Sequence, residues 1–251
     1  MIHESRRDGV ARITLDRPPL NVLTIALMRD LAAALDRAAA DAEVRLVRLD
    51  GAGKAFCAGV DVGEHLGDQL TPMMDALGEL FAAFARVPQP VVAVVQGAAL
   101  GGGCEVVLGA DLCLASERAS FGQPEIRLGV FAPPASVLLP RIVGERRALG
   151  LLLTGEAWSA RQALEAGLVN AVFPDASFEA DAEAAIARLA SLSGPALRLA
   201  KRAVRAAGEL SEPAAHRLLH AIYMNELMTL EDPGEGLRSF LEKRPPVWRH
   251  R

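Results

Sequence analysis

Two short segments of the chain combine small residues, glycines and carboxylates in a pattern suited to chemistry on a carbonyl group. The first is Lys54-Ala55-Phe56-Cys57-Ala58-Gly59-Val60-Asp61-Val62, a small-residue turn that follows an apolar run. The second is Gln96-Gly97-Ala98-Ala99-Leu100-Gly101-Gly102-Gly103-Cys104-Glu105, where a β-branched run feeds a glycine triplet and then a helical pattern. Glycine lets the backbone turn tightly and lets a ligand approach bare N–H groups. The first amides of a helix are unpaired and stand at the positive end of its dipole. A carbonyl held between one amide of each segment is polarised toward an enolate, and removing one such donor typically costs roughly 3–4 kcal/mol of transition-state stabilisation. Glu105 falls in the first turn of the new helix, beside that carbonyl position. A second carboxylate, Glu125, lies in Phe121-Gly122-Gln123-Pro124-Glu125-Ile126, where Pro124 holds it at the edge of a turn. Either glutamate alone reads as an ordinary helix-terminal or loop charge. Two of them beside two glycine turns, in otherwise apolar sequence, read as a site.

The elements that must position these segments alternate between strand and helix. Residues 10–15 have strand character, and Thr24 is placed to cap a helix through Leu27, Leu31, Ala34, Leu35 and Ala38. A strand is expected at 44–49, a helix at 71–86 stopped by Val87-Pro88-Gln89-Pro90, a strand at 91–95, a helix from about Gly102, and an apolar run at 111–115. This alternation predicts an α/β fold with interior strands buried on both faces. From about Ser191 helical patterns dominate, at 195–207, 212–230 and 234–242. The chain therefore divides into a core over 1–190 and a helical appendage over 191–251, too small to bury its own apolar face unaided.

Composition limits the partners. Half of the residues are apolar (51%) and 23% are charged, enough for a substantial core. A net charge of −4 speaks against a nucleic-acid partner, which demands a basic face. The 3 cysteines, Cys57, Cys104 and Cys113, lack CxxC spacing and predict a reducing, cytoplasmic setting. The polar start Met1-Ile2-His3-Glu4 is unlike a signal peptide, and the apolar stretch 91–110 contains Gln96 and Glu105, so it reads as a buried strand and helix and no membrane partner is expected. No GxSxG or Walker A pattern occurs, and Val106 occupies the third glycine position of a dinucleotide fingerprint. His216 and His220 lie four apart on a helical stretch without an accompanying third ligand, so no metal is expected. The clusters Glu209 to Glu212 and Glu231 to Glu235 read as solvated helix ends.

Taken together, the two glycine segments, Gly101-Gly102-Gly103-Cys104-Glu105 and Phe121-Gly122-Gln123-Pro124-Glu125 resemble the crotonase (enoyl-CoA hydratase/isomerase) superfamily. So do Arg17-Pro18-Pro19-Leu20-Asn21, Leu153-Thr154-Gly155-Glu156, Ala163-Leu164-Glu165-Ala166-Gly167-Leu168-Val169 and the closing Glu235-Gly236-Leu237 with Phe240-Leu241-Glu242-Lys243-Arg244. The resemblance spans nearly the whole chain. It implies a spiral of ββα units with a helical C-terminal oligomerisation region, assembled as a homo-trimer or hexamer. It further implies an acyl-CoA substrate, with coenzyme A entering as part of that substrate and no permanently bound cofactor. Carried over by motif, the amides holding the thioester oxygen belong to Val60 and Gly102. Glu105 activates the attacking water and Glu125 handles the proton at the α-carbon. Pro19, Leu20, Ala58, Val60 and Val62 border the coenzyme, and Lys54, Arg17 or Lys243 meets its phosphates.

One segment departs from the superfamily pattern. Members commonly carry a glycine-rich stretch after the second glutamate, whereas this chain reads Gly129-Val130-Phe131-Ala132-Pro133-Pro134-Ala135-Ser136. Two prolines stiffen the segment and remove two amide donors, though they also suit the first turn of a helix. With Glu64-His65 and the terminal Lys243-Arg244-Pro245-Pro246-Val247-Trp248, this version resembles the subgroup that hydrates cyclohexa-1,5-diene-1-carbonyl-CoA. His65, Phe131, Pro133 and Ser136 are accordingly expected around the acyl group. The alternatives are a hydratase or isomerase of linear acyl-CoA, a hydrolase on the same scaffold, and a non-catalytic or RNA-binding member, since a fold does not fix a function. The intact glutamate pair argues against the non-catalytic reading, and the absence of a Lys/Arg-rich helix argues against RNA.

Overall fold

The computed structural model describes residues 1–208 and 210–251; Glu209, the first member of one charge cluster, lies outside them. The first half of the chain runs β1 (Ile2–Arg7), β2 (Val10–Leu15), α1 (Ile25–Ala40), β3 (Leu46–Gly51), α2 (Leu70–Arg86), β4 (Val91–Val95), β5 (Ala98–Leu100) and α3 (Gly102–Gly109). There follow β6 (Leu112–Ser116), β7 (Ser120–Gly122), α4 (Pro133–Val143), α5 (Glu145–Thr154), β8 (Ala157–Ser159), α6 (Ala160–Ala166) and β9 (Ala171–Phe173). The rest is helical: α7 (Phe178–Ala190), α8 (Gly194–Ala207), α9 (Glu212–Asn225) and α10 (Glu231–Leu241). Short 3-10 turns stand at Val62–His65, Gly67–Gln69, Pro124–Leu128 and Leu227–Thr229.

A large sheet carries the order β1-β2-β3-β4-β6-β9, and a small one the order β5-β7-β8. Only β1 runs antiparallel in the large sheet; β2, β3, β4, β6 and β9 are parallel neighbours. The parallel strands are covered on both faces, as their near-continuous apolar runs require. On one face α1 and α2 pack together. Leu27, Met28, Leu31 and Leu35 recur at helical spacing on α1, and Met73, Leu77, Leu80 and Phe84 do so on α2. The Thr24 hydroxyl caps α1 by accepting from the Leu27 amide at 3.2 Å. On the other face Leu46, Val92, Val94 and Leu114 meet Phe178, Ala182 and Ile186 of α7.

Charges that enter this interior are paired. Arg48 of β3 is buried and bonds Asp50 at 2.6 Å, Glu179 of α7 at 2.8 Å, and Glu183. Asp111 accepts the Val91 amide at 2.8 Å, Lys201 at 2.7 Å and Arg205 at 2.8 Å, which ties α8 to the start of β4 and β6. Asp232, buried in α10, accepts the amides of Arg249 at 2.7 Å and His250 at 3.1 Å, so the last residues lie back over that helix.

The strand expected at 44–49 is shifted to Leu46–Gly51, because Val44 and Arg45 still belong to the turn that bonds Asp41 and Gly9. β1 had no counterpart in the sequence reading; as an edge strand it exposes most of its residues and shows little apolar alternation. The helix expected over 212–230 ends at Asn225 and gives way to a 3-10 turn. The last helix begins at Glu231, three residues before the expected start, because Pro233 is tolerated in a first helical turn. Among the described residues no helix is long and apolar enough to cross a membrane, and 91–110 forms β4, β5 and α3.

Removing one partner from a buried ion pair leaves the others uncompensated and costs about 3–5 kcal/mol. Asp111→Ala strands the buried Lys201 while the more exposed Arg205 stays solvated, so urea unfolding should show a loss of stability of about 2–3 kcal/mol, well beyond that of an exposed change such as Asp8→Ala. A loss below about 1 kcal/mol would show that the pairing does not hold α8.

Candidate active site

Three stretches of backbone run side by side at the edge of the small sheet. Phe56 and Cys57 donate their amides to the Ala98 carbonyl at 3.0 and 3.1 Å, and Leu100 returns a bond to Cys57 at 3.0 Å. β5 pairs in parallel with β7, placing Leu100 opposite Gly122, and the Gly101 amide donates to Gly122 at 2.8 Å. The continuations of these stretches therefore emerge together: Gly59-Val60 from the first, Gly101-Gly102 and α3 from the second, Gln123-Pro124-Glu125 from the third.

The closeness demands glycine at the second stretch. Gly101 has φ +53°, and a Cβ there would lie 2.6 Å from Glu125 Oε1. At Gly102 a Cβ would lie 2.5 Å from Val60 Cγ2 and 3.3 Å from the Val60 nitrogen, so these two amides are neighbours. Neither the Val60 nor the Gly102 N–H has a hydrogen-bond partner among the described residues, whereas the flanking Leu23, Asp61, Gly101 and Glu105 amides are all paired. The turn before Val60 is held by two side-chain amides. Asn21 donates to the carbonyls of Ala52, Ala55 and Phe56 at 2.9–3.1 Å, and Gln96 to those of Gly51 and Ala55 at 2.6 and 2.9 Å.

Glu105 and Glu125 converge on this place. Glu105 is only 2% exposed, and its Oε1 accepts the Ala135 amide at 3.0 Å. Burial, with a smaller contribution from the charge of Glu125, pushes its carboxyl up to about 8 against the partial relief given by that amide. Burial also raises the Glu125 carboxyl; its own backbone amide and the nearby His65 ring oppose the rise. Gln123, 1% exposed, directs its NH2 group to both Glu125 oxygens, at 3.1 and 3.3 Å, in the orientation that satisfies both ends of its amide. Sequence reasoning passed over Gln123 and Ala135. The former could have been noticed as a neutral polar residue two positions before a glutamate in an apolar stretch; the latter carries no local signal.

The remaining expected residues divide. Leu20 and Ala58 are brought together, the Ala58 amide bonding Leu20 at 3.0 Å, with Pro19 and Leu20 exposed on the adjoining turn after a cis Pro18–Pro19 bond. Val62 is exposed at the start of a 3-10 turn, and Lys54 is an exposed side chain without an ion pair among the described residues. Arg17 bonds the Val22 carbonyl at 3.2 Å, while Lys243 lies just past α10. His65 donates from Nδ1 to the Asp61 carbonyl at 3.0 Å. Glu64, beside His65 in sequence, accepts the Ile25 amide at 2.7 Å, an anion at a helix start. The Ser136 hydroxyl donates to the Ala132 carbonyl at 2.8 Å, the usual back-bond of a helical serine. Pro133 and Pro134 open α4, as prolines suit a first helical turn, and line a groove with Leu77, Phe81 and Val137. Phe131 stands just before it, 70% exposed. Among the described residues no cluster of His, Cys, Asp or Glu is arranged to hold a metal ion.

The sequence and the fold both have known counterparts. Residues 5–251 match the family model described as enoyl-CoA hydratase/isomerase. A cyclohexa-1,5-dienecarbonyl-CoA hydratase from Thauera aromatica is 38% identical, covering 98% of this chain and 95% of that protein. A probable enoyl-CoA hydratase from Rhizobium meliloti is 41% identical over 96% of this chain and 95% of its own length. The crystal structure of an enoyl-CoA hydratase from Mycobacterium smegmatis superposes with a TM-score of 0.92 at 33% identity, covering 98% of both chains. The chain belongs to the enoyl-CoA hydratase/isomerase family and has its fold. It is an enzyme, and its class is that of the hydro-lyases.

The raised carboxyl of Glu105 makes a thermal prediction. Below the ordinary value of 4.5 the folded and unfolded chains both hold its proton. Between there and about 8 the unfolded chain releases it while the folded chain keeps it, so folding stability is lost as the pH rises through that window. Glu105→Gln keeps the bond from Ala135 and removes the ionisation. Its Tm relative to the parent should therefore climb steadily between pH 5 and pH 8.5; a difference that stays flat would deny the raised value.

Proposed function

We propose that the protein adds water across the double bond of an α,β-unsaturated coenzyme A thioester. The observation that carries this reading is the convergence of two free amides, the buried Glu105 carboxyl and the half-buried Glu125 carboxyl at one place. In the mechanism, the thioester oxygen sits between the Val60 and Gly102 N–H groups, which stabilise the charge that develops there. Glu105 takes a proton from water as the water oxygen bonds to the β-carbon. The electron pair of the double bond moves to the α-carbon and thioester, forming an enolate. Glu125 then delivers a proton to the α-carbon, and the carbonyl reforms. One H and one OH have been added, and solvent exchange returns a proton from Glu105 to Glu125. The cycle starts with the pair's one proton on Glu125; burial raises both carboxyls, and Glu105, held up to about 8, must ionise before it can activate the water. Gln123 would keep Glu125 aimed at the α-carbon.

The coenzyme would run past Pro19, Leu20, Ala58, Val60 and Val62, with Lys54 available to its phosphates. It enters with the substrate, and no permanent cofactor has a place in the scheme. For the acyl group we favour the cyclic diene cyclohexa-1,5-diene-1-carbonyl-CoA. The Thauera aromatica relative bears that name, and the proline-opened α4 beside Phe131 provides a stiff apolar boundary suited to a flat ring. The Rhizobium meliloti relative, at 41% identity, favours a second reading, a hydratase of linear enoyl-CoA. We also place the enzyme in the cytoplasm, a setting that suits three buried free cysteines.

Loss of the conjugated thioester absorbance, followed for the cyclic diene and for crotonyl-CoA, tests the whole scheme. Glu105→Gln and Glu125→Gln should each lower kcat by roughly 10²–10⁴ with little change in KM, and the parent should show the larger kcat/KM on the cyclic substrate. Near-full turnover in either variant removes that glutamate from the mechanism. A clear advantage for crotonyl-CoA returns the protein to the linear hydratases.

Assembly is the last part of the proposal. Leu237, Phe240 and Leu241 of α10 are 58%, 81% and 79% exposed, and Tyr223 and Met228 add to this surface, while Ile222 is covered within its own chain. Apolar surface of this kind marks an association face. We assign it to a homo-trimer or hexamer. Light scattering at micromolar concentration should give three or six times the chain mass, and a stable monomer would rule the assembly out.

A further inference from the structure

An α-helix begins with N–H groups that no preceding carbonyl can satisfy. In α4 the first two helical residues are Pro133 and Pro134, which have no N–H. The Ser136 amide is already bonded to the Ala132 carbonyl at 2.9 Å, closing the first helical turn. Of the opening helical residues, that leaves Ala135, and its N–H donates to Glu105 Oε1 at 3.0 Å. Ala132, at the N-cap position, has no side chain that can accept a bond. The carboxylate of Glu105, arriving from α3, therefore stands in for the missing cap. A capping oxygen accepts from the second or third helical residue. Here the second is Pro134, so only the third can give. Among the described residues Glu105 Oε2 receives no hydrogen bond at all.

Given the role proposed for Glu105, we infer that Pro133-Pro134 is a positioning device for this base, with Pro134 its active member: it limits the carboxylate to one protein donor, on one oxygen, and leaves the other oxygen basic and open to water. Two physical effects combine. Proline's fixed φ sets the direction of the Ala135 N–H before any substrate arrives. The missing amide at 134 withholds a second charge-assisted bond, which would stabilise the carboxylate and weaken it as a base. Neither effect requires contact between the prolines and substrate, and both act through Glu105. The prolines themselves line the groove with Leu77, Phe81 and Val137.

The experiment is a carboxyl titration that does not depend on turnover. Protein labelled with 13C at glutamate carboxyls is titrated by NMR, and Glu105→Gln identifies the resonance of Glu105. Pro134→Ala adds an N–H at the second helical position and should move the Glu105 midpoint down by about one pH unit, as one further bond to a charged acceptor implies. Pro134→Gly adds the same N–H without a Cβ and should move it the same way. Pro133→Ala adds an N–H at the first position, outside capping geometry, and should leave it in place. Pro213→Ala makes the same exchange at the start of α9, away from the site, and should also leave it in place. The pH limb of kcat/KM should follow the titration, with KM unmoved. Parental titration in both Pro134 variants, an upward shift, or equal shifts in all four variants would overturn the inference. A shifted titration in a protein that hydrates no enoyl-CoA would sink the proposed function alone, and an unshifted one in an active hydratase would sink this inference alone.

Discussion

The close approach of three backbone segments is the constraint on which the site depends. Residues 56–60, 98–102 and 120–125 can emerge side by side only if their strands pair in parallel, and parallel pairing requires crossover connections of some length. The α/β alternation supplies these connections. It also delivers the start of α3 to the same edge, because that helix follows β5 after a single glycine. Side chains at 101 or 102 would collide with Glu125 or Val60, so the geometry is bought with glycine, whose conformational freedom is costly in a folded chain. Asn21 and Gln96 contribute a further restraint. Their amides fix the carbonyls of the turn before Val60, which would otherwise be a flexible loop carrying half of the site.

The treatment of buried charge separates this place from the rest of the molecule. Arg48 is surrounded by three carboxylates, Asp111 by two cations and an amide, and Asp232 by two backbone amides. Each of these serves to dock one element on another. Glu105 is as deeply buried as any of them, yet it has one neutral donor and a second carboxylate for a neighbour. A fold selected for stability alone would leave no acid there, since a buried carboxyl without a cation is unfavourable. A strongly perturbed carboxyl with a second carboxyl close by is a common mark of acid–base chemistry.

Much of this was legible in the sequence because chemistry and backbone geometry had to be encoded locally. The glycine triplet, the turn at 54–62 and both glutamates are contiguous motifs, and their elements follow from apolar runs and the capping of α1 by Thr24. Other features were not local. Ala135 meets Glu105 across thirty residues of chain, and alanine carries no chemical signal, since its backbone makes the contact. The back-bond of Ser136 to Ala132 was hidden because it depends on α4 forming. The bond that Glu64 accepts from the Ile25 amide was hidden too, because that helix start is far away in sequence. The edge strand β1 escaped because a strand half open to solvent needs no apolar alternation on its outer face.

The environment that perturbs the glutamates also governs the strength of the two free amides. Excluding water from Glu105 and Glu125 raises the cost of ionising them, and the same exclusion lowers the dielectric around Val60 and Gly102. In the proposed reaction negative charge leaves a carboxylate and reaches the thioester oxygen within one connected, poorly solvated space. The protein then needs no net positive field to hold the enolate, and none is provided by a chain with a net charge of −4. What it needs is dipoles already aimed, at fixed distance, before charge arrives. The paired strands, the glycines at 101 and 102 and the start of α3 provide this aim on one side of the reacting carbons, and the start of α4 provides it on the other. Glu105 therefore lies between two helix N-termini, one carrying it and one donating to it. That arrangement offsets part of the burial cost that holds its carboxyl up to about 8.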